Sequence, residues 1–74
     1  MTNAKIKELI GEAAFAAKQI TKVGDSAVRI SFEKDFYKSN KELCREALKK
    51  LMEAYKADGR KVRMESSGLV VYRK

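Results

Sequence analysis

The stretch from residue 39 to residue 57 reads SNKELCREALKKLMEAYKA, and its pattern decides the fold of the chain. Ser39 and Glu42 have the spacing of a capping box, in which the hydroxyl and the carboxylate bond backbone N–H groups that a helix start leaves free. Apolar side chains then recur at steps of three and four residues, as on the buried side of a helix. They are Cys44, Leu48, Leu51 and Tyr55, flanked by Ala47 and Met52. The pattern predicts a helix to about Ala57, closed by a left-handed Gly59.

Two further elements are predicted upstream of this helix. Apolar residues recur at helical spacing as far as Ile20, so residues 3–21 are expected to form one helix. After a turn at Gly24-Asp25, residues 26–33 alternate between apolar and polar side chains, which is typical of a half-buried strand. The apolar side of that strand consists of Val28, Ile30 and Phe32.

Residues 61–74 are predicted to form a hairpin that turns at Ser66-Ser67-Gly68. A three-residue loop with a left-handed Gly68 pairs Met64 with Val70 and Val62 with Tyr72, and places these four side chains on one face. A two-residue loop shifts the pairing by one residue and exchanges the two faces. The first pairing is preferred. The predicted element order is therefore α-β-α-β-β.

These elements predict an α+β fold in a single small domain, residues 1–74. It would have a three-stranded, mostly antiparallel sheet with two helices packed on one face. Hydrophobic residues make up 45% of the chain and charged residues 36%, a composition typical of a folded domain. A chain without an evident signal peptide, without a long apolar run and with one free thiol is expected to be cytoplasmic, with no membrane partner.

No pattern in the sequence indicates catalysis. Cys44 is the one cysteine and histidine is absent, so neither a disulfide within the chain, nor an activated thiol, nor a histidine metal site is expected. The four glycines are too scattered for a phosphate-binding loop. We therefore expect a binding protein rather than an enzyme, with no cofactor, no metal and no small-molecule substrate.

The net charge of +7 lies almost entirely in the second half of the chain. Residues 38–74 hold eleven Lys and Arg against five Asp and Glu, whereas residues 1–37 hold six against five. On the 39–57 helix the cations lie beside the apolar stripe, and the glutamates form a separate ridge. Such a row of cations could follow a phosphate backbone. The predicted binding residues are Lys41, Arg45, Lys49, Lys56, Arg60, Lys61 and Arg63.

Two alternatives concern the same charges. The helix cations could instead pair with Glu42, Glu46 and Glu53 one turn away, as on many solvated helices. Strand alternation also places Arg29, like Lys61 and Arg63, away from the expected core, where Tyr72 or Tyr37 could stack on an unpaired base. Arg29, Tyr72 and Arg73 are accordingly secondary candidates, although Tyr72 could equally be half-buried packing.

Phe15 is the unusual residue of the predicted first helix, because it lies opposite the apolar stripe of that helix. Gly11 and the surrounding alanines would allow another helix to approach closely. This face is therefore a candidate for self-association into a homodimer or for binding a partner protein. The alternatives are an ordinary exposed apolar side chain or a helix buried on both sides.

The segment Gly24-Asp25-Ser26-Ala27, followed by the alternating strand, resembles the C-terminal domain of bacterial translation initiation factor three and, more distantly, the Alba nucleic-acid-binding proteins. The resemblance covers the order of elements over roughly residues 9–73 with a handful of identities, and the strand that those folds place before the first helix is missing. It implies RNA contact through basic residues and assigns no specific site residue.

The leading hypothesis is a small nucleic-acid-binding protein that contacts phosphates with little sequence preference, with RNA slightly favoured over DNA. The alternative is a small regulatory or inhibitory protein, of the type that phages and mobile elements encode. Such a protein would bind an acidic surface of a larger host protein or complex.

Overall fold

The computed structural model describes residues 2–66 and 68–73 and has an α+β fold, as predicted. Its sheet has four strands in the order β1-β2-β4-β3, with every neighbouring pair antiparallel, whereas three strands were predicted. The elements in chain order are α1 (Asn3–Ile10), α2 (Glu12–Ala17), β1 (Lys18–Val23), β2 (Ala27–Phe32), α3 (Lys34–Ser39), α4 (Lys41–Ala57), β3 (Val62–Met64) and β4 (Gly68–Tyr72).

The prediction of one helix over residues 3–21 is wrong, because the chain breaks at Gly11. Gly11 has a φ of 88°, a conformation that side chains other than glycine rarely adopt. Its N–H closes α1 on the carbonyl of Lys7, and its own carbonyl accepts the N–H of Phe15 in α2. The glycine therefore both ends one helix and begins the next.

The missing strand is β1, which follows α2 directly. Residues 18–23 pair with β2 along their whole length, and the two strands join at a turn where Gly24 has a φ of 68°. Ile20, Thr21 and Val23 are β-branched residues, which favour strands over helices. Ile20 had been assigned to the buried stripe of a helix, but on this edge strand it is 53% exposed.

The capping-box prediction is also wrong, because Ser39 is the last residue of α3. Asn40 occupies the junction, and its side-chain amide donates to the carbonyl of Phe36 at 3.1 Å instead of capping α4. The start of α3 is capped by Glu33, whose carboxylate accepts the N–H of Phe36, and this bond lowers the pKa of Glu33. The predicted end of α4 at Ala57, followed by a left-handed Gly59, is confirmed.

The hairpin register differs by one residue from the preferred pairing. Met64 pairs with Leu69 and Val62 with Val71. Gly68 belongs to β4 and does not have the predicted left-handed conformation, while Ser67 of the predicted turn lies outside the described residues. A Cβ on Gly68 would lie 3.0 Å from the carbonyl oxygen of Ile30, so a side chain here would be tight against β2.

The four helices supply one apolar layer over one face of the sheet. The sheet residues of this core are Ile30, Phe32, Leu69 and Val71. They meet the buried side of α4 together with Ile6, Ile10 and Ala14 of α1 and α2. Ala27 and Val70 are buried as well, but by strand alternation they lie on the opposite face, here called the open face.

Candidate nucleic-acid interface

The cations of α4 lie on a flank that its packing leaves exposed. The buried side of the helix consists of Cys44, Ala47, Leu48, Leu51 and Tyr55. Because successive residues turn by about 100°, positions four apart from Lys41 to Lys49 fall on one side of this stripe. Lys41, Arg45, Lys49 and Lys56 are all exposed.

These α4 cations do not pair with the glutamates of the same helix. Over residues 2–66 and 68–73, the structure forms salt bridges between Lys7 and Glu12, Arg29 and Glu65, and Arg63 and Glu65. None of these involves α4, so the intrahelical pairs considered from the sequence are not formed. The cations of this flank therefore form no salt bridge within the helix itself.

Arg45 and Lys49 border an open groove between α4 and β3. Met52 of α4 and Met64 of β3 line the groove, and Met64 is 43% exposed. Glu65 also lines the groove. The groove thus combines an apolar floor with two cations along one edge.

Lys41 lies beside two further lysines that are not among the predicted binding residues. Lys34 and Lys38 of α3 line a depression together with Lys41 and Tyr37. The Tyr37 hydroxyl donates to the carbonyl of Ser66 at 3.2 Å, which ties α3 to the end of β3. The signal available in the sequence was the spacing of four between Lys34 and Lys38, which places both on one side of a helix.

We call these exposed cations of α3 and α4 the basic flank: Lys34, Lys38, Lys41, Arg45, Lys49 and Lys56. From Lys41 to Lys56 the α4 portion measures about 22 Å at 1.5 Å per residue. That length corresponds to about six phosphate steps of one DNA strand.

Arg60 and Arg73 of the predicted set lie elsewhere, at the β1–β2 turn. They line a depression there with Lys22, which is not among the predicted binding residues. The guanidinium of Arg60 lies 5.9 Å from the ring centre of Tyr55, a cation–π distance. Burial raises the pKa of the Tyr55 hydroxyl, so it stays protonated at neutral pH.

The arginines of the open face have a partner. Arg29 and Arg63 flank Val70 in one row across the sheet, and both bond Glu65, at 2.7 Å and 3.1 Å. The hydrogen bond from Arg29 is the largest cause of the lowered pKa of Glu65. Arg29 and Arg63 do face away from the helices as predicted, but their charge is shared with a carboxylate.

Lys61 and Tyr72 lie at the other end of the open face. The carbonyl of Lys61 accepts the N–H of Tyr72 at 2.9 Å, and Tyr72 pairs with Ala27 of β2. The predicted pairing put Tyr72 on the same face as Val62 and Met64, and the observed register shows that this was wrong. Tyr72 is half-buried on the face away from the helices.

Phe15 does not lie opposite the core, as the single-helix prediction required. It is half-buried and packs against the core cluster, with the ammonium of Lys18 5.0 Å from its ring centre. Gly11 lies at the α1–α2 break rather than on a helix surface. Cys44 is fully buried, and burial raises the pKa of its thiol, which disfavours the reactive thiolate.

The described residues form neither a helix that could cross a membrane nor a cluster that could hold a metal ion. No helix there combines the length and the apolar character needed to cross a bilayer. Within the same ranges, no group of three or more acidic or cysteine side chains is arranged to hold a metal ion.

Comparison with protein-family models, with curated proteins and with solved structures found no match to this chain. The order of elements behind the resemblance to initiation factor three also differs from the observed one, since β1 stands between the first helices and the strand after Gly24-Asp25. The geometry of the surface is therefore the basis for any functional proposal.

Proposed function

We propose that this chain binds nucleic acid through the basic flank, mainly by phosphate contacts and with little sequence preference. The observation that carries the proposal is the exposed row of cations on α4 that form no salt bridge with the glutamates of that helix. Each phosphate that such a cation neutralises releases a condensed counterion, which favours binding. As in the sequence analysis, RNA is slightly favoured over DNA.

The shape of the flank supports a strand lying along α4. Lys41, Arg45 and Lys49 follow one another by single helical turns, about 6 Å apart along the axis. Lys34 and Lys38 extend the row beyond the start of α4. The groove beside Arg45 and Lys49 is lined by Met52 and Met64, which offer an apolar surface to an unpaired base.

Fluorescence anisotropy with labelled RNA and DNA oligomers across a salt series tests the proposal. The logarithm of the binding constant should fall linearly with the logarithm of the salt concentration. The slope should be about four in magnitude, for four to five phosphate contacts on duplex DNA. Absence of binding at low salt would refute the proposal.

A matched pair of variants locates the site. Reversing Arg45 and Lys49 to Glu should weaken binding of duplex DNA at least about 60-fold at roughly 0.1 M salt. Two phosphate contacts are lost, and each contributes about 0.9 to the salt slope. Reversing Lys5 and Lys50 makes the same change of charge on exposed positions outside the basic flank. This control should retain most of the affinity. Equal losses in both variants would show that net charge, not the flank, determines binding.

The groove also favours a second candidate, an acidic protein surface. Met64 is 43% exposed beside two cations, and a phosphate backbone alone would leave that apolar area uncovered. A pull-down that retains one stoichiometric protein after nuclease treatment, and loses it on Met64→Ser substitution, would favour this candidate. Persistence of that protein with Met64→Ser would count against it.

A further inference from the structure

The depression at the β1–β2 turn collects cations from three distant parts of the chain. Lys22 comes from β1, Arg60 from the segment after α4, and Arg73 from the residue after β4. Its volume is about 330 Å³, within the size range of small-molecule sites. Asp25 also lines it, so three cations against one carboxylate leave a net charge of +2.

Backbone hydrogen bonds hold the main chain of two of these residues. The N–H of Arg73 donates to the carbonyl of Ser26 at 2.7 Å, which holds Arg73 beside the turn. The N–H of Arg60 donates to the carbonyl of Tyr55 at 3.0 Å, and its guanidinium lies over the Tyr55 ring. The guanidinium of Arg60 is therefore positioned before any ligand arrives, and the backbone of Arg73 is held beside the turn.

The depression is lined mainly by polar groups, and its exposed apolar part includes Val28. Lys22 pairs with Val28, and Val28 pairs with Val71, so these three side chains share the helix-covered face of the sheet. Because α4 ends at Ala57, the helix layer does not close this end, and Val28 stays partly exposed. A partly exposed valine among three cations offers one apolar contact to a ring that carries an anionic group.

We propose that this depression binds a terminal phosphate monoester together with the base next to it. Such a group carries about −1.5 to −2 charge at neutral pH, close to the opposite of the depression's charge, whereas an internal phosphodiester carries one charge. Like charges gathered in one concave site attract an anion strongly. The site goes beyond the proposed function, since none of its cations belongs to the basic flank. A strand end and a free mononucleotide share this chemistry.

A competition assay tests the proposal. A labelled oligomer is displaced by unlabelled single strands that end in a 5′-phosphate, in a 3′-phosphate or in hydroxyls only. One phosphorylated strand should compete at a concentration at least about fivefold lower than the hydroxyl strand at roughly 0.1 M salt, the effect of one added single-strand charge. Equal competition by all three strands, together with no binding of a free mononucleotide, would overturn the proposal.

Variants separate this site from the basic flank. Lys22→Gln, at an exposed position, and Arg60→Gln should each remove the preference for the phosphorylated end and leave binding of the hydroxyl strand nearly unchanged. Arg45→Gln should weaken all strands and keep the preference. A preference that survives both Lys22→Gln and Arg60→Gln would place the phosphate elsewhere.

Backbone amide NMR with adenosine monophosphate covers the free-nucleotide source. Shifts at Lys22, Gly24 and Arg73 that are lost in Lys22→Gln would support the site even if no oligomer bound, in which case the proposed function would fail alone. Oligomer binding with equal competition and no such shifts would refute this site and leave the proposed function standing.

Discussion

The basic flank and the open face of the sheet carry the same kinds of cation, but they use them differently. On the flank, Arg45 and Lys49 are exposed and form no salt bridge within the described residues. On the open face, Arg29 and Arg63 bond one carboxylate, Glu65, and flank Val70, which is fully buried although no helix covers it. One surface leaves its charge available to a partner, whereas the other uses it to complete the fold.

This difference matters for any interpretation of net charge. A count of Lys and Arg treats Arg63 and Arg45 as equal, yet Arg63 shares its charge with Glu65. The alkyl part of Arg29 lies near Gly68, so that side chain also serves as packing. We infer that the open face contributes stability first and binding second, and the predictions below test that division.

The largest expected effect on the open face is that of Val70→Ala. Removing two buried carbon groups and leaving a small cavity should lower the free energy of unfolding by about 2 kcal/mol. The corresponding fall in Tm is about 8–16 °C for a domain of this size. Val23→Ala, the same substitution on the same face at a half-buried edge position, is the control and should cost clearly less. Similar losses in both variants would show that the arginines do not cover Val70.

Gly68→Ala should have a somewhat smaller effect. The added Cβ would lie 3.0 Å from the Ile30 carbonyl oxygen and 3.4 Å from Cγ of Arg29, so a strand or the arginine must shift. Overpacking of this kind costs about 1 kcal/mol or more. Thermal unfolding measures the loss. Comparing Gly68→Ala in the parent chain with Gly68→Ala in the Arg29→Ala variant distinguishes its source. If Gly68→Ala costs as much in the Arg29→Ala background as in the parent chain, the backbone contact is the cause; if the cost disappears there, the arginine is the cause.

The sequence could predict α4 better than the sheet, and the reason is physical. Along α4 the position of each cation follows from local helical geometry, so the row from Lys41 to Lys49 could be placed from spacing alone. The open face depends instead on the β3–β4 register. Leu69, Val70 and Val71 form a continuous apolar run, which gives no alternation to show which side chain faces the core.

The errors near the N-terminus have a related cause. Ile20 has helical spacing from Ala17 and Ala13, and Gly11 is tolerated in a helix, so the pattern favoured one long helix over a break and a strand. Lys22 then had no predicted place on the sheet. The depression that it forms with Arg60 and Arg73 joins residues far apart in sequence, and local patterns do not reveal such a site.

A smaller effect separates the two surfaces by binding. If the basic flank binds phosphates, Arg45→Gln should lower affinity for duplex DNA about eightfold at roughly 0.1 M salt and reduce the salt slope by about one. Arg63→Gln, which removes an arginine already bonded to Glu65, should lower it less. Anisotropy titrations of both variants provide the comparison. A greater loss for Arg63→Gln would move the binding surface to the open face.

The smallest expected effect is a pH dependence carried by Glu65. The folded state lowers its pKa below the ordinary value of 4.5, because Arg29 and Arg63 bond the carboxylate. Its contribution to stability is therefore present above the unfolded pKa and is lost as pH falls through the folded pKa. Glu65→Gln should be less stable than the parent chain at neutral pH, and the difference should shrink on acidification.

Denaturant unfolding from neutral pH to about pH 3 measures this trend. Glu53→Gln on α4 is the matched control, because within the described residues Glu53 forms no salt bridge. Its stability should follow that of the parent chain across the range. If Glu53→Gln and Glu65→Gln show the same pH dependence, the carboxylate on the open face has no special role, and the contrast between paired and unpaired cations loses its energetic basis.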